Sequence, residues 1–204
     1  MTPIEKIKLK NERQIRALQV FMPTPEAKRI DSNYYVEGYA ARYEPYVLFE
    51  LDDGPIFEKF ERGCFDDCDM SDIIFQLNHQ GTVMARQSNG SLVVEADDNG
   101  LFTAADLGRT DAARKLYEEI STGMITKMSW GFIIGECHYD QSTRTIIHTK
   151  VKKIFDVSAV SIPANNNTEI NARSWVDGVI DLAARSEAEL DERRRRLLLK
   201  IKTT

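Results

Sequence analysis

The sequence predicts a mainly β protein with flanking helices, an α+β chain whose body is antiparallel. Three observations lead there. Short β-type runs recur from Tyr34 onward (YYVEGYAARY, SLVVEAD, LFTAADL, ITKMSWGFIIGE, TRTIIHTKVKKI, FDVSAVSI), separated by turn signals such as NGS and DDNG. A single helical pattern interrupts them, and a longer amphipathic pattern closes the chain.

Residues 1–30 read as a basic arm. Lys6, Lys8, Lys10, Arg13, Arg16, Lys28 and Arg29 stand among few large apolar residues, and Pro23 and Pro25 disfavour continued helix. Residues 31–172 form the β body. Its connecting helix is predicted at about Asp111 to Ser121: Thr110 caps the first turn, Ala113, Leu116, Tyr117 and Ile120 make an apolar stripe, and Gly123 suits the C-terminal end. Residues 173–204 are predicted to form a long amphipathic helix or tail, because Val176, Val179, Ile180, Ala183, Leu190, Leu197 and Ile201 recur at helical spacing. Its RRRRLLLKIK end places cations where a helix C-terminus favours them, which suits a solvated helix or a partner-binding tail.

Composition excludes whole classes. With 204 residues, 42% hydrophobic and 29% charged, the chain is neither disordered nor fibrous. Lys and Arg number 27 against 32 Asp and Glu, so no global basic field draws it to nucleic acid. No apolar run approaches the roughly 18–20 residues of a spanning helix, and the N-terminus lacks a secretion-signal core, so a cytosolic protein is expected. Three cysteines at low density argue for reduced thiols over a disulfide framework.

Three side chains stand out as candidate chemistry. In ITKMSWGFIIGE, Met128, Trp130 and Phe132 alternate with Ser129, Gly131 and Gly135, so Ser129 is expected on an open face where missing bulk lets another backbone approach. A strand serine is also commonly structural. His79, after the strand-like DIIFQL, can project from a strand end as a general base, or serve as a surface or capping residue. Asp156 interrupts an apolar run, so it either faces solvent or has a partner, His79 being one candidate and Lys152 or Lys153 the others. Cys64, Cys68, Cys137 and His138 are zinc-type ligands, but adjacent Cys137 and His138 on a strand point to opposite faces, so no metal or cofactor is expected. Neither a Gly-rich phosphate loop nor a Gly-x-Ser-x-Gly elbow is present.

The order EGYAARY, FERGCF, QLNHQGTVMAR, LVVEADDNGLFTAADL, ISTGMITKMSWGF and FDVSAVSIPAN resembles the bacteriophage prohead (capsid maturation) serine protease family, over about Tyr34 to Asn167. The resemblance implies an antiparallel β-barrel of the herpesvirus assemblin type. Carried over motif by motif, it implies Ser129 as nucleophile, His79 as base and Asp156 as third member, meeting in space. Relatives often have Glu at the position of Asp156 and Phe at that of Trp130. The segment PANNNT lacks the arginine that herpesvirus enzymes use near the oxyanion, which leaves main-chain N–H groups around Asn165 and Asn166 as candidate donors. The implied substrates and partners are the major capsid protein with its scaffolding segment and the protease itself, a possible homo-oligomer, cut inside the procapsid without nucleic acid or membrane. The competing expectation is a non-catalytic capsid assembly protein that binds scaffold.

Overall fold

The computed structural model describes residues 14–20, 28–51, 54–161, 180, 183–185 and 188–195. In chain order the strands are β1 (Gln14–Val20), β2 (Tyr35–Arg42), β3 (Tyr46–Leu51), β4 (Gly54–Phe60), β5 (Ile74–Leu77), β6 (Gln80–Arg86), β7 (Leu92–Asp97), β8 (Gly100–Asp106), β9 (Lys127–Asp140) and β10 (Thr145–Val160). The helix α1 (Asp111–Ser121) joins β8 to β9. The described residues are thus mainly β, as the patterning predicts.

The closed antiparallel barrel implied by the resemblance is not found among the described residues. The strands form two sheets: a larger one ordered β1-β9-β10-β4-β3, with β5 paired to β10 and β6 to β5, and a smaller one ordered β2-β8-β7. The reason lies in β10. One of its edges keeps β9 along nearly its whole length, while the other is divided between two parallel partners, Phe57–Phe60 of β4 and Ile74–Leu77 of β5. An edge shared by two partners branches a sheet instead of rolling it shut.

Alternation along β9 supplies the core. Met128, Trp130 and Phe132 are buried on one face, where the Trp130 and Phe132 rings stack at 3.9 Å between centroids and Phe60 meets Trp130 edge-on at 5.2 Å. α1 has the predicted bounds because its signals are local. Thr110 Oγ1 accepts the Ala113 N–H at 3.1 Å, and Ala113 and Leu116 are buried against the body. Gly100 closes the β7–β8 turn with φ of +149°, and a Cβ there would lie 2.1 Å from the Ala41 carbonyl oxygen of the adjacent β2.

Within the arm expected over residues 1–30, β1 pairs antiparallel with β9. At the other end the backbone is helical at residues 180, 183–185 and 188–195, and Ile180 packs against buried Ile56 and Ile146. One continuous helix over 173–204 is not shown, since the rest of it lies outside the described residues. No helix among the described residues is long and apolar enough to cross a membrane.

Candidate active site

β5 and β6 are joined by only two residues, Asn78 and His79, both with positive φ (53° and 58°), the pattern of a type I′ hairpin turn. Glycine is the usual second residue of such a turn, so a histidine there is an unfavourable local choice. The surroundings hold it. The Asn78 N–H donates to the Ala159 carbonyl at 2.9 Å, and Asn78 Oδ1 accepts from the Ser161 N–H at 3.0 Å. The turn is thereby pinned to the end of β10.

Asp156 reaches the same place through a bulge. The β9–β10 register pairs Ile154 with Phe132 but Asp156 with Gly131, so an extra residue lies between them on β10. A one-residue slip exchanges the faces of a strand. Beyond it, Val157 and Ala159 pair with Trp130 and Met128 of the core, while Ser158 pairs with Ser129. Asp156 consequently leaves the face of Ile154 and joins that of Ser158.

The three side chains meet. His79 Nδ1 lies 2.5 Å from Asp156 Oδ2, and His79 Nε2 lies 2.8 Å from Ser129 Oγ. Asp156 is 1% exposed, and the same Oδ2 also accepts from Ser158 Oγ at 2.8 Å. A buried carboxylate accepting from the Nδ1–H fixes the ring tautomer that leaves the Nε2 lone pair facing the serine. The lysine partners weighed for Asp156 stand elsewhere in one case, since Lys153 Nζ donates to Asp69 at 2.6 Å.

The open face expected around Ser129 is not what the structure has. Ser129 is fully buried, its backbone neighbour Ala17 belongs to β1, and its hydroxyl lies 2.7 Å from the Arg16 carbonyl oxygen. Gly135 serves close strand contact instead: a Cβ there would lie 2.9 Å from the Lys150 carbonyl oxygen. Asn165 and Asn166, the candidate oxyanion donors, lie outside the described residues.

On the core face of β9, where Arg16 stands opposite Trp130 and over Phe132, is a buried charge cluster that the sequence reading missed. Arg16 donates from Nε to Glu58 Oε2 at 2.7 Å and from Nη2 to Glu58 Oε1 at 3.0 Å. Glu58 also meets His148 Nε2 at 2.7 Å and accepts from the Tyr46 hydroxyl. Burial pushes the Glu58 carboxyl up, but Arg16 and His148 outweigh it and hold the group well below its ordinary value. The available signal was Glu58 between Ile56 and Phe60, a carboxylate on the buried side of an alternating strand. Cys64 and Cys68, two of the zinc-type residues, are free thiols that burial pushes up to about 12. Among the described residues no three His, Cys, Asp or Glu side chains cluster as metal ligands.

A family model described as caudovirus prohead serine protease matches residues 23–178. Among solved structures, the bacteriophage T4 capsid assembly protease, gp21, is similar at 14% identity, covering 75% of this chain and 100% of that one, with a TM-score of 0.46. No curated protein matches.

Proposed function

This chain belongs to the caudovirus prohead serine protease family, and on that premise we propose that it is a serine endopeptidase with Ser129 as nucleophile, His79 as general base and Asp156 as the carboxylate that orients the ring. The observation that carries the reading is one imidazole bonded through both nitrogens, to Asp156 at 2.5 Å and to Ser129 at 2.8 Å. With Nδ1–H committed to the carboxylate, Nε2 takes the serine proton as Oγ attacks a scissile carbonyl. Asp156 stabilises the imidazolium that results, and the ring returns its proton to the leaving amine. Water, activated by the same nitrogen, then releases the acyl-enzyme.

The substrates we propose are the scaffolding segment of the major capsid protein and the protease itself, cut inside the procapsid after assembly in the host cytoplasm. Residues 31–172 form the protease domain in this reading, with the arm and tail as packaging or dimerisation elements. Confinement in a closed shell restricts such an enzyme to the proteins assembled with it.

The test is co-expression with the major capsid protein. Ser129→Ala should abolish maturation cleavage, a loss of at least about 10⁴-fold, with the circular dichroism spectrum unchanged. A serine-directed phosphonate probe should label wild type at Ser129. Cleavage that persists in S129A rejects this nucleophile, and absence of both labelling and cleavage in assembled shells favours the scaffold-binding alternative.

A further inference from the structure

β1 places a buried arginine in an edge strand of mixed character. It forms the edge of the larger sheet against β9, the strand that carries Ser129, and its register sets Arg16 opposite Trp130 and Ala17 opposite Ser129. The serine hydroxyl lies 2.7 Å from the Arg16 carbonyl oxygen and 2.8 Å from His79 Nε2. The peptide group between Arg16 and Ala17 therefore stands at the nucleophile. An extended peptide added antiparallel to an exposed strand edge is a common way for a protein to hold a peptide ligand.

The Arg16 side chain is held as closely as its backbone. It is 4% exposed and bound bidentately to Glu58, itself fully buried, with the Phe132 ring 5.8 Å from the guanidinium carbon. Tyr46 and His148 fix the same carboxylate from β3 and β10. This is a socket built from four strands other than β1, with Tyr46 on β3, Glu58 on β4, Phe132 on β9 and His148 on β10, shaped for a planar cation. Bidentate geometry and burial both favour arginine over lysine or a neutral side chain.

Resting on the protease reading above, we propose that β1 is a substrate strand built into the chain, that Glu58 is the specificity residue selecting arginine on the acyl side of the scissile bond, and that the enzyme cuts itself between Arg16 and Ala17. In that step Ser129 Oγ bonds to the Arg16 carbonyl carbon and the bond to the Ala17 nitrogen breaks. His79 passes the serine proton to the new amine. Water then hydrolyses the ester and leaves Arg16 as a free carboxylate. Loss of residues 1–16 uncovers the Glu58 socket and the part of the β9 edge opposite Gln14, Ile15 and Arg16, namely Phe132, Gly131 and Trp130, while residues 17–20 stay with the chain beside Ser129, Met128 and Lys127. The strand that is cut first therefore also blocks the acyl side of the groove until it is cut.

The experiment uses the full chain co-expressed with the major capsid protein, read by intact mass, together with peptides spanning residues 12–20 given to the purified protein. Wild type should lose a fragment of residues 1–16, S129A should not, and R16A should not be cut at this bond. Peptides with Arg at position 16 should be cleaved about 100-fold faster than those with Ala or Glu, and E58Q should reduce that preference to below about 10-fold. If E58Q does not fold, the peptide series on wild type decides alone. Ser129-dependent cleavage elsewhere, with no cut after Arg16 and no arginine preference, overturns this inference and leaves the protease reading standing. Absence of any Ser129-dependent hydrolysis removes both.

Discussion

His79 pays for its position in backbone strain. A left-handed φ costs an ordinary L-residue about 1–2 kcal/mol, and at 58° this residue is well inside that region. Its ring is nonetheless bonded at both nitrogens. His79→Gly should therefore be more stable than His79→Ala by about 1 kcal/mol in urea titration, with both variants inactive; equal stabilities would show that the turn is unstrained. Ser158 offers a finer test. Its hydroxyl donates to the same Asp156 oxygen that holds His79. Ser158→Ala concentrates the carboxylate's charge on the imidazole, which then keeps a proton more tightly. The acid limb of the pH–rate profile should move to higher pH in S158A, whereas a merely structural serine would lower the rate at every pH alike.

At the scale of elements, legibility in the sequence tracks locality. α1 has its predicted bounds because Thr110, the apolar stripe and Gly123 act within a few residues of one another. Thr110→Ala should cost about 1 kcal/mol in thermal or urea unfolding, and a negligible loss would show that packing of Leu116 and Ala113, not the cap, sets the helix start. The alternation of ITKMSWGF was readable too, and it sets Ser129 on the face opposite Met128, Trp130 and Phe132. What could not be read was anything decided by a partner strand. The bulge before Asp156 exists only relative to β9, and the division of β10 between β4 and β5 depends on residues 88 positions away for Thr145 and Phe57 and 82 for Asp156 and Ile74. β1 was hidden for a different reason: the apolar residues of QIRALQV do not alternate strictly and stand among the cations of the arm, and its place is set by backbone pairing and one buried ion pair. A serine predicted on an open face was accordingly found covered by a segment the sequence presented as a basic arm.

Across the whole molecule, the Arg16–Glu58 pair ties the N-terminal strand to β4, and through His148 to β10, so its protonation state bears on the stability of the fold. Burial alone pushes the Glu58 carboxyl up, but Arg16 and His148 hold it below its ordinary 4.5. A carboxylate depressed in the folded state contributes stability that is fully present above its unfolded value and is lost as the pH falls through the folded one. Removing one member of such a pair leaves the other buried and unpaired, at a cost of about 3–5 kcal/mol. Glu58→Gln should therefore unfold at markedly lower denaturant than wild type at pH 7. The gap should stay constant down to about pH 5 and then close on further acidification, because only wild type has a carboxylate to neutralise there. A gap that instead widened in acid would mean that Glu58 is protonated in the folded protein and that Arg16 is held by its strand alone.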